Sequence, residues 1–259
     1  MTRDDDQLDL LLQKLRWLKL PGMARAVRDL LAEAAKKNLT GLEIAHRLCD
    51  EEKKSRIDGA IKRRIHDARF PEVNTVDAFD FDFDPARKKL KARYLALHDL
   101  AFVDKGINPL FIGNPGTGKT FLARALAYRA CQATRRVIFT STPKMLNHLA
   151  GAEIHGSLEK AMRRYVKADL LVLDDLGIGT PTEPQRHDLL EVMEDRYGRA
   201  ATVITSQLDP KNWHPIIGDE TIADAVCDRL VHNAHKVKLS GESIRKTKAD
   251  LTKGQKPAK

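Results

Sequence analysis

No apolar run in this 259-residue chain approaches the roughly 18 residues that a membrane-crossing helix requires. The opening Met1-Thr2-Arg3-Asp4-Asp5-Asp6 lacks the basic and apolar regions of a secretory leader. Neither a signal peptide nor a membrane span is expected, and a cytoplasmic location is. Cysteine is scarce: Cys49, Cys131 and Cys227 are odd in number and far apart, with no C-x-x-C spacing and no His pair nearby. That excludes a disulfide framework and a zinc site, and predicts reduced, buried thiols. Acidic residues are the scarcer charge, 36 against 45 Lys plus Arg, and the resulting +9 favours a polyanionic partner. Apolar residues are not scarce. At 42% they exclude disorder throughout and suffice for one larger domain and a smaller one.

Periodicity organises the start of the chain. Leu8, Leu11, Leu12, Leu15 and Leu18 recur at the steps of one helix face, and after Pro21-Gly22 a second face follows in Met23, Ala26, Val27, Leu30, Leu31 and Ala34. Thr40 and Glu43 have capping-box spacing and predict a third helix. Its Lys62, Arg63 and Arg64 belong to a basic stripe on a frame of Ile57, Ala60, Ile61, Ile65 and Ala68. A stripe of this kind is either a solvated face, partly neutralised by neighbouring acids, or a surface that neutralises phosphates, and we take the second reading, contact with duplex DNA. Residues 1–70 are thus expected as a small all-helical domain for DNA contact and self-association. Residues 71–84, with Phe79-Asp80-Phe81-Asp82-Phe83-Asp84, are expected as an extended linker that plugs side chains onto the next domain. Phe81 and Phe83 are read as core packing in preference to adenine contacts. Asp84-Pro85 predicts a capped helix start.

Chemistry is densest at Gly113-Asn114-Pro115-Gly116-Thr117-Gly118-Lys119-Thr120, the pattern G-x-x-x-x-G-K-[ST], set between the apolar Pro109–Ile112 and a helix-like run from Phe121. Glycines open backbone angles closed to other residues, so successive N–H groups can converge on phosphates, and the following helix N-terminus adds a favourable field. Lys119 is expected at the β- and γ-phosphates and the Thr120 hydroxyl on Mg²⁺. The pattern predicts a nucleoside triphosphate site over Gly113 to Phe121.

Beyond it, strands and helices alternate: Val137–Thr140, a helix opened by Thr142-Pro143, a basic helix near 157–167, then Leu170–Leu173 running into Asp174 and Asp175. Such βα alternation predicts an α/β fold, a parallel sheet with helices on both faces. Asp174 is expected to hold the magnesium water shell opposite Thr120, and Asp175 to orient or deprotonate the attacking water. A further strand, Ala201–Ile204, ends in Thr205, Ser206 and Gln207, candidate γ-phosphate sensors at the same sheet edge. Arg163, Arg164 and Lys167 join Lys62, Arg63 and Arg64 as candidate DNA contacts.

With those residues in view, the chain resembles the AAA+ ATPases, and more closely the IstB-like transposition helper proteins, whose relatives are helicase loaders of the DnaC/DnaI type. Ala68–Val73, Gly113–Thr120, Leu173–Gly177, Thr205–Gln207, Ala223–Leu230 and Leu239–Arg245 carry the likeness. The resemblance implies a P-loop ATPase domain over 85–245 without a C-terminal lid, ATP and Mg²⁺ as cofactors, and homo-oligomers with ATP between subunits. It implies double-stranded DNA and a cognate transposase as partners, with ATP hydrolysis regulating target selection. Arg229 would be the arginine finger reaching a neighbour's γ-phosphate, with Lys119, Asp174 and Asp175 completing the catalytic set. Many AAA+ proteins carry glutamate where this chain has Asp175, one methylene shorter, and slow turnover is expected from that. Arg245 would stand in for the sensor a lid usually supplies, and 246–259 reads as a basic tail. A helicase loader is the alternative, distinguished by preference for single strands. A small-molecule P-loop kinase would need an acceptor pocket that nothing in the sequence suggests.

Overall fold

A computed structural model describes residues 3–241, and its first three elements are helices, α1 (Arg3–Trp17), α2 (Pro21–Lys37) and α3 (Gly41–Ala68). The chain divides into two compact units between Arg63 and Arg64. In the first unit Pro21 starts α2, where a missing N–H costs nothing. At Gly22 an added Cβ would lie 2.5 Å from the Glu51 carbonyl oxygen, so glycine alone permits this approach of α2 to α3. The buried Glu52 carboxylate exploits the closeness, accepting from the Gly22 amide at 2.7 Å and the Met23 amide at 3.3 Å, a helix cap supplied by another helix. Burial works against its charge, but Arg56 at 2.9 Å and the two amides outweigh it and hold the carboxyl below its ordinary range. The capping box forms as expected, Thr40 and Glu43 exchanging hydrogen bonds of 2.7 and 3.3 Å. Of the leucine stripe on α1 only Leu15 is buried, while Leu11 and Leu18 are exposed.

The second unit continues with α4 (Pro85–Leu95), capped by Asp84 through the Arg87 amide at 2.9 Å, and the short α5 (Ala101–Asp104). There follow β1 (Asn108–Gly113), α6 (Lys119–Gln132), β2 (Val137–Ser141), α7 (Thr142–Ile154), α8 (Leu158–Val166) and β3 (Leu170–Leu176). The described chain closes with α9 (Glu183–Arg196), β4 (Ala201–Ser206), α10 (His214–Ile217), α11 (Glu220–Val231) and β5 (Ala234–Leu239). The sheet is wholly parallel, ordered β2-β3-β4-β1-β5. Strand alternation sorts its two faces. Phe111, Leu170, Val172 and Val203 join Leu90, Tyr94, Leu122 and Leu126 from α4 and α6 in one core. Leu110, Leu171, Leu173 and Ile204 join Leu149, Met162, Val192 and Val226 from α7, α8, α9 and α11 in the other. Arg196 is fully buried, and its guanidinium donates to the Tyr165, Val166, Ala168 and Ala201 carbonyls, tying the starts of β3 and β4 to the end of α8.

Two findings differ from the reading of the sequence. β5 is an unanticipated strand: as an edge strand it buries only Val237 and Leu239, so His235, Lys236 and Lys238 mask its apolar signal. Cys49 is exposed and Cys227 half-buried, leaving Cys131 as the one fully buried thiol. Phe81 packs into the first core as expected, its ring centroid 5.9 Å from that of Tyr94, and Phe79 is buried in the same core. Arg245 and the tail 246–259 lie outside the described residues.

Candidate nucleotide site

The loop between β1 and α6 is fixed from below and at its start. A Cβ on Gly113 would fall 2.1 Å from the Leu239 carbonyl oxygen, so β5 abuts the first residue of the loop. Gly116 (φ +81°) and Gly118 (φ +100°) occupy left-handed backbone that favours glycine. At Gly118 a Cβ would also meet the Phe79 ring at 2.6 Å, and Phe79 itself stacks on Phe81 and Phe121, with centroids 4.7 and 5.5 Å away. The aromatic segment therefore underpins the loop. Lys119 opens α6; its buried Nζ donates to the carbonyls of Gly113 at 2.7 Å and Asn114 at 2.9 Å. The 14-residue α6 directs the positive end of its dipole at the same place.

Opposite the loop, β3 breaks register against β4 between Leu173 and Leu176, and the irregularity contains both acids. A bulge at this edge re-aims side chains. Asp174 stays buried and its Oδ1 accepts from the Thr120 hydroxyl at 2.8 Å and the Thr205 hydroxyl at 2.6 Å. The Asp175 amide donates to the same Thr205 oxygen at 3.0 Å, and Asp175 adopts left-handed backbone (φ +58°), which Asp tolerates better than most side chains. Lys119, Thr120, Phe121, Asp174, Asp175 and Gln207 thus border one cavity of about 450 Å³, together with Pro115, Gly116, Gly118 and Arg124. The paired Thr120 hydroxyl and Asp174 carboxylate are hard oxygen donors suited to magnesium, which takes one or two carboxylates beside phosphates and water. Among the described residues no cluster of three His, Cys, Asp or Glu offers an all-protein metal cage.

Other expected site residues are placed apart. Ser206 turns away: its hydroxyl donates to the Leu176 carbonyl at 2.7 Å and accepts from the Trp213 indole at 3.1 Å, because neighbouring strand residues face opposite sides of the sheet. Arg229, at the end of α11, is held in its own chain by Glu194 of α9 at 2.6 and 3.3 Å, with Asp228 at 3.4 Å. Its carbonyl accepts from Asn108 Nδ2 at 3.2 Å, while Asn108 Oδ1 accepts from the Thr202 amide at 2.8 Å. The buried Asn108 was not foreseen, since nothing in the local pattern marks a strand-opening Asn as a junction between α11 and β4. Lys62 and Arg63 are exposed on α3. Arg64, Arg163, Arg164 and Lys167, expected from two separate segments, line one cavity of about 390 Å³ with Arg136, which the sequence reading missed.

A family model, IstB-like ATP binding protein, matches residues 13–252. An insertion sequence ATP-binding protein of Sinorhizobium fredii is 38% identical over 235 residues, covering 91% of this chain and 95% of its own. The ATP-binding protein of insertion sequence IS21 of Pseudomonas aeruginosa is 33% identical over 255 residues, covering 97% of this chain and 94% of its own. Among solved structures, the DnaC helicase loader superposes with a TM-score of 0.56 at 19% identity, over 64% of this chain and 96% of that one. The last likeness is one of fold, the P-loop core of the AAA+ class.

Proposed function

The chain belongs to the family of IstB-like ATP binding proteins, and from that premise we propose that it is the ATP-dependent helper of a transposase. It assembles on duplex DNA with ATP between adjacent subunits, and hydrolysis of that ATP regulates where and when the transposase acts. The insertion sequence names of its relatives support the transposition setting. The observation that carries the hydrolytic part is the shared Asp174 oxygen, bonded to both Thr120 and Thr205 beside the phosphate loop.

In this reading the loop amides and Lys119 Nζ take the phosphate oxygens, the ammonium exchanging its two carbonyl acceptors for the β- and γ-phosphates. Thr120 and Asp174 hold magnesium, which when bound neutralises charge on the phosphate oxygens. Asp175 orients a water for in-line attack on the γ-phosphorus and receives its proton as the bond to the β-phosphate oxygen breaks, releasing ADP and phosphate. Thr205 fixes both acids, bonding the side chain of one and the amide of the other. Gln207 is the polar sensor of the cavity, and Arg229 of a neighbour completes the charge stabilisation. To do so Arg229 must leave Glu194. DNA contacts fall to Lys62 and Arg63 in the first unit and to Arg64, Arg163, Arg164 and Lys167 in the second.

The test is assembly on linear duplex DNA followed by electron microscopy with ATP, with a non-hydrolysable analogue, and with Lys119→Ala. Assemblies that form with either nucleotide and vanish in Lys119→Ala are expected. Equal assembly without nucleotide sinks the reading, and a clear preference for single strands favours a helicase loader instead.

A further inference from the structure

β2 is an edge strand, paired with β3 on one side only among the described residues. A cavity opens at each of its ends. At the start lies the one bordered by Arg64, Arg136, Arg163, Arg164 and Lys167, floored by Val137, Ile138 and Ala168. At the carboxyl end a second, of about 540 Å³, is bordered by Arg69, Arg124, Lys144, His148 and Arg164, with Phe139 and Tyr165 beside them. Arg164 and Ile138 border both, so the two adjoin. The second cavity closes inward on Arg124, Asp174 and Asp175, which are also the wall of the nucleotide cavity.

We propose that the carboxyl-end cavity is a site for the sugar-phosphate backbone of duplex DNA, and that a backbone lying along the β2 edge is thereby brought against the wall of the ATP site. The inference rests on the DNA-binding reading above and adds Arg69, Lys144 and a route to the hydrolytic residues.

Charge is the first argument. Arg69, Lys144 and Arg164 come from three different stretches of chain, and among the described residues none of them makes an ion pair. Arg124 has only Glu72, at 4.0 Å, and its buried Nε finds no acceptor. Like charges converging on one cavity repel, and Asp174 and Asp175 at its inner wall offset only part of the four cations, Arg69, Arg124, Lys144 and Arg164. A polyanion relieves that repulsion. His148 reports the field: partial burial first, then Arg164 and Arg69, hold its imidazole below the ordinary histidine range. Shape is the second argument. At about 3.3 Å per residue the five residues of β2 span roughly 16 Å, against one phosphate of each strand for every 3.4 Å or so of duplex axis, so several phosphates fall within that length. Adjoining cavities of that combined length suit a chain of phosphates better than one small anion. Arg69, Lys144 and His148 are exposed, as a surface that meets a rod-like partner must be.

The experiment compares wild type with Arg69→Gln/Lys144→Gln, neither residue belonging to the nucleotide machinery. Affinity for a linear duplex is titrated over a range of salt, and phosphate release is followed with and without that duplex. The expected slope of log affinity against log salt is shallower by about two, one step per lost phosphate contact. Acceleration of hydrolysis by DNA should disappear, while turnover and ATP-dependent assembly without DNA stay as in wild type. Arg69→Lys/Lys144→Arg should restore both slope and acceleration, which separates lost charge from misfolding. An unchanged slope overturns the proposal. So does loss of DNA-free assembly, which assigns the cavity to an acidic segment of a second copy. If wild type itself does not bind duplex DNA, the parent reading fails; if it binds and the double variant binds alike, only this inference fails.

Discussion

At the phosphate loop each candidate group is secured by contacts within the chain. Lys119 rests on two carbonyls, Asp174 accepts two hydroxyls while buried, and Phe79 fills the space beneath Gly118. At the end of α11, Arg229 is partly exposed and held by Glu194 and, at longer range, Asp228, carboxylates that are themselves half in water. Breaking a buried hydrogen-bonded carboxylate costs about 1–3 kcal/mol per lost partner, whereas an exposed ion pair is worth about 0–1 kcal/mol. The groups about the phosphate loop are thus held in place by the chain itself. Arg229, which under the proposed function must reach a neighbour, is tethered by something easily undone.

Replacing Arg229 by Ala tests the contrast most severely. Turnover should fall about 10³-fold or more, the scale of a lost arginine finger, while a single chain binds ATP analogue as before. Undiminished phosphate release would end the assignment. Phe79→Ala comes next, with a loss of about 3–5 kcal/mol in denaturant unfolding of the second unit, because a buried ring is removed from under the loop. Little change would mean that the loop holds its shape without support. Thr205→Val removes the hydroxyl that bonds Asp174 and the Asp175 amide, and should slow hydrolysis about tenfold to a hundredfold with nucleotide affinity retained. If affinity falls and turnover per bound ATP does not, Thr205 serves binding instead. The mildest change is Glu194→Gln. Held then only by the more distant Asp228, Arg229 should support assembly at a protein concentration lower by at most about fivefold, read by light scattering with ATP analogue. A shift the other way would make Glu194 an aligner of the arginine.

The loop itself was legible because strand, glycines, lysine and helix are contiguous, so short-range geometry writes the motif in one stretch. Asp174 and Asp175 were legible as an apolar run ending in acids, but the bulge that contains them depends on pairing with β4 and leaves no mark in the sequence. Ser206 was misjudged for a related reason: three consecutive polar residues cannot share one face of a strand. β5 was hidden by its charged outer residues, and Phe79 by distance, since its partner Gly118 lies far along the chain. Asn108 illustrates the same limit, for its carboxamide bonds two elements that the sequence keeps well apart.

That carboxamide has a mechanical meaning. α11 ends two residues after Arg229, the chain turns at once into β5, and β5 zips along β1 from Ala234 beside Asn108 to Leu239 beside Gly113. Force applied by an adjoining protomer at the Arg229 guanidinium would therefore travel down a two-stranded ribbon clamped at its near end by Asn108. The far end of that ribbon abuts Gly113, the first residue of the phosphate cradle, so under the proposed intersubunit arrangement a pull on Arg229 would be felt where the phosphates are held.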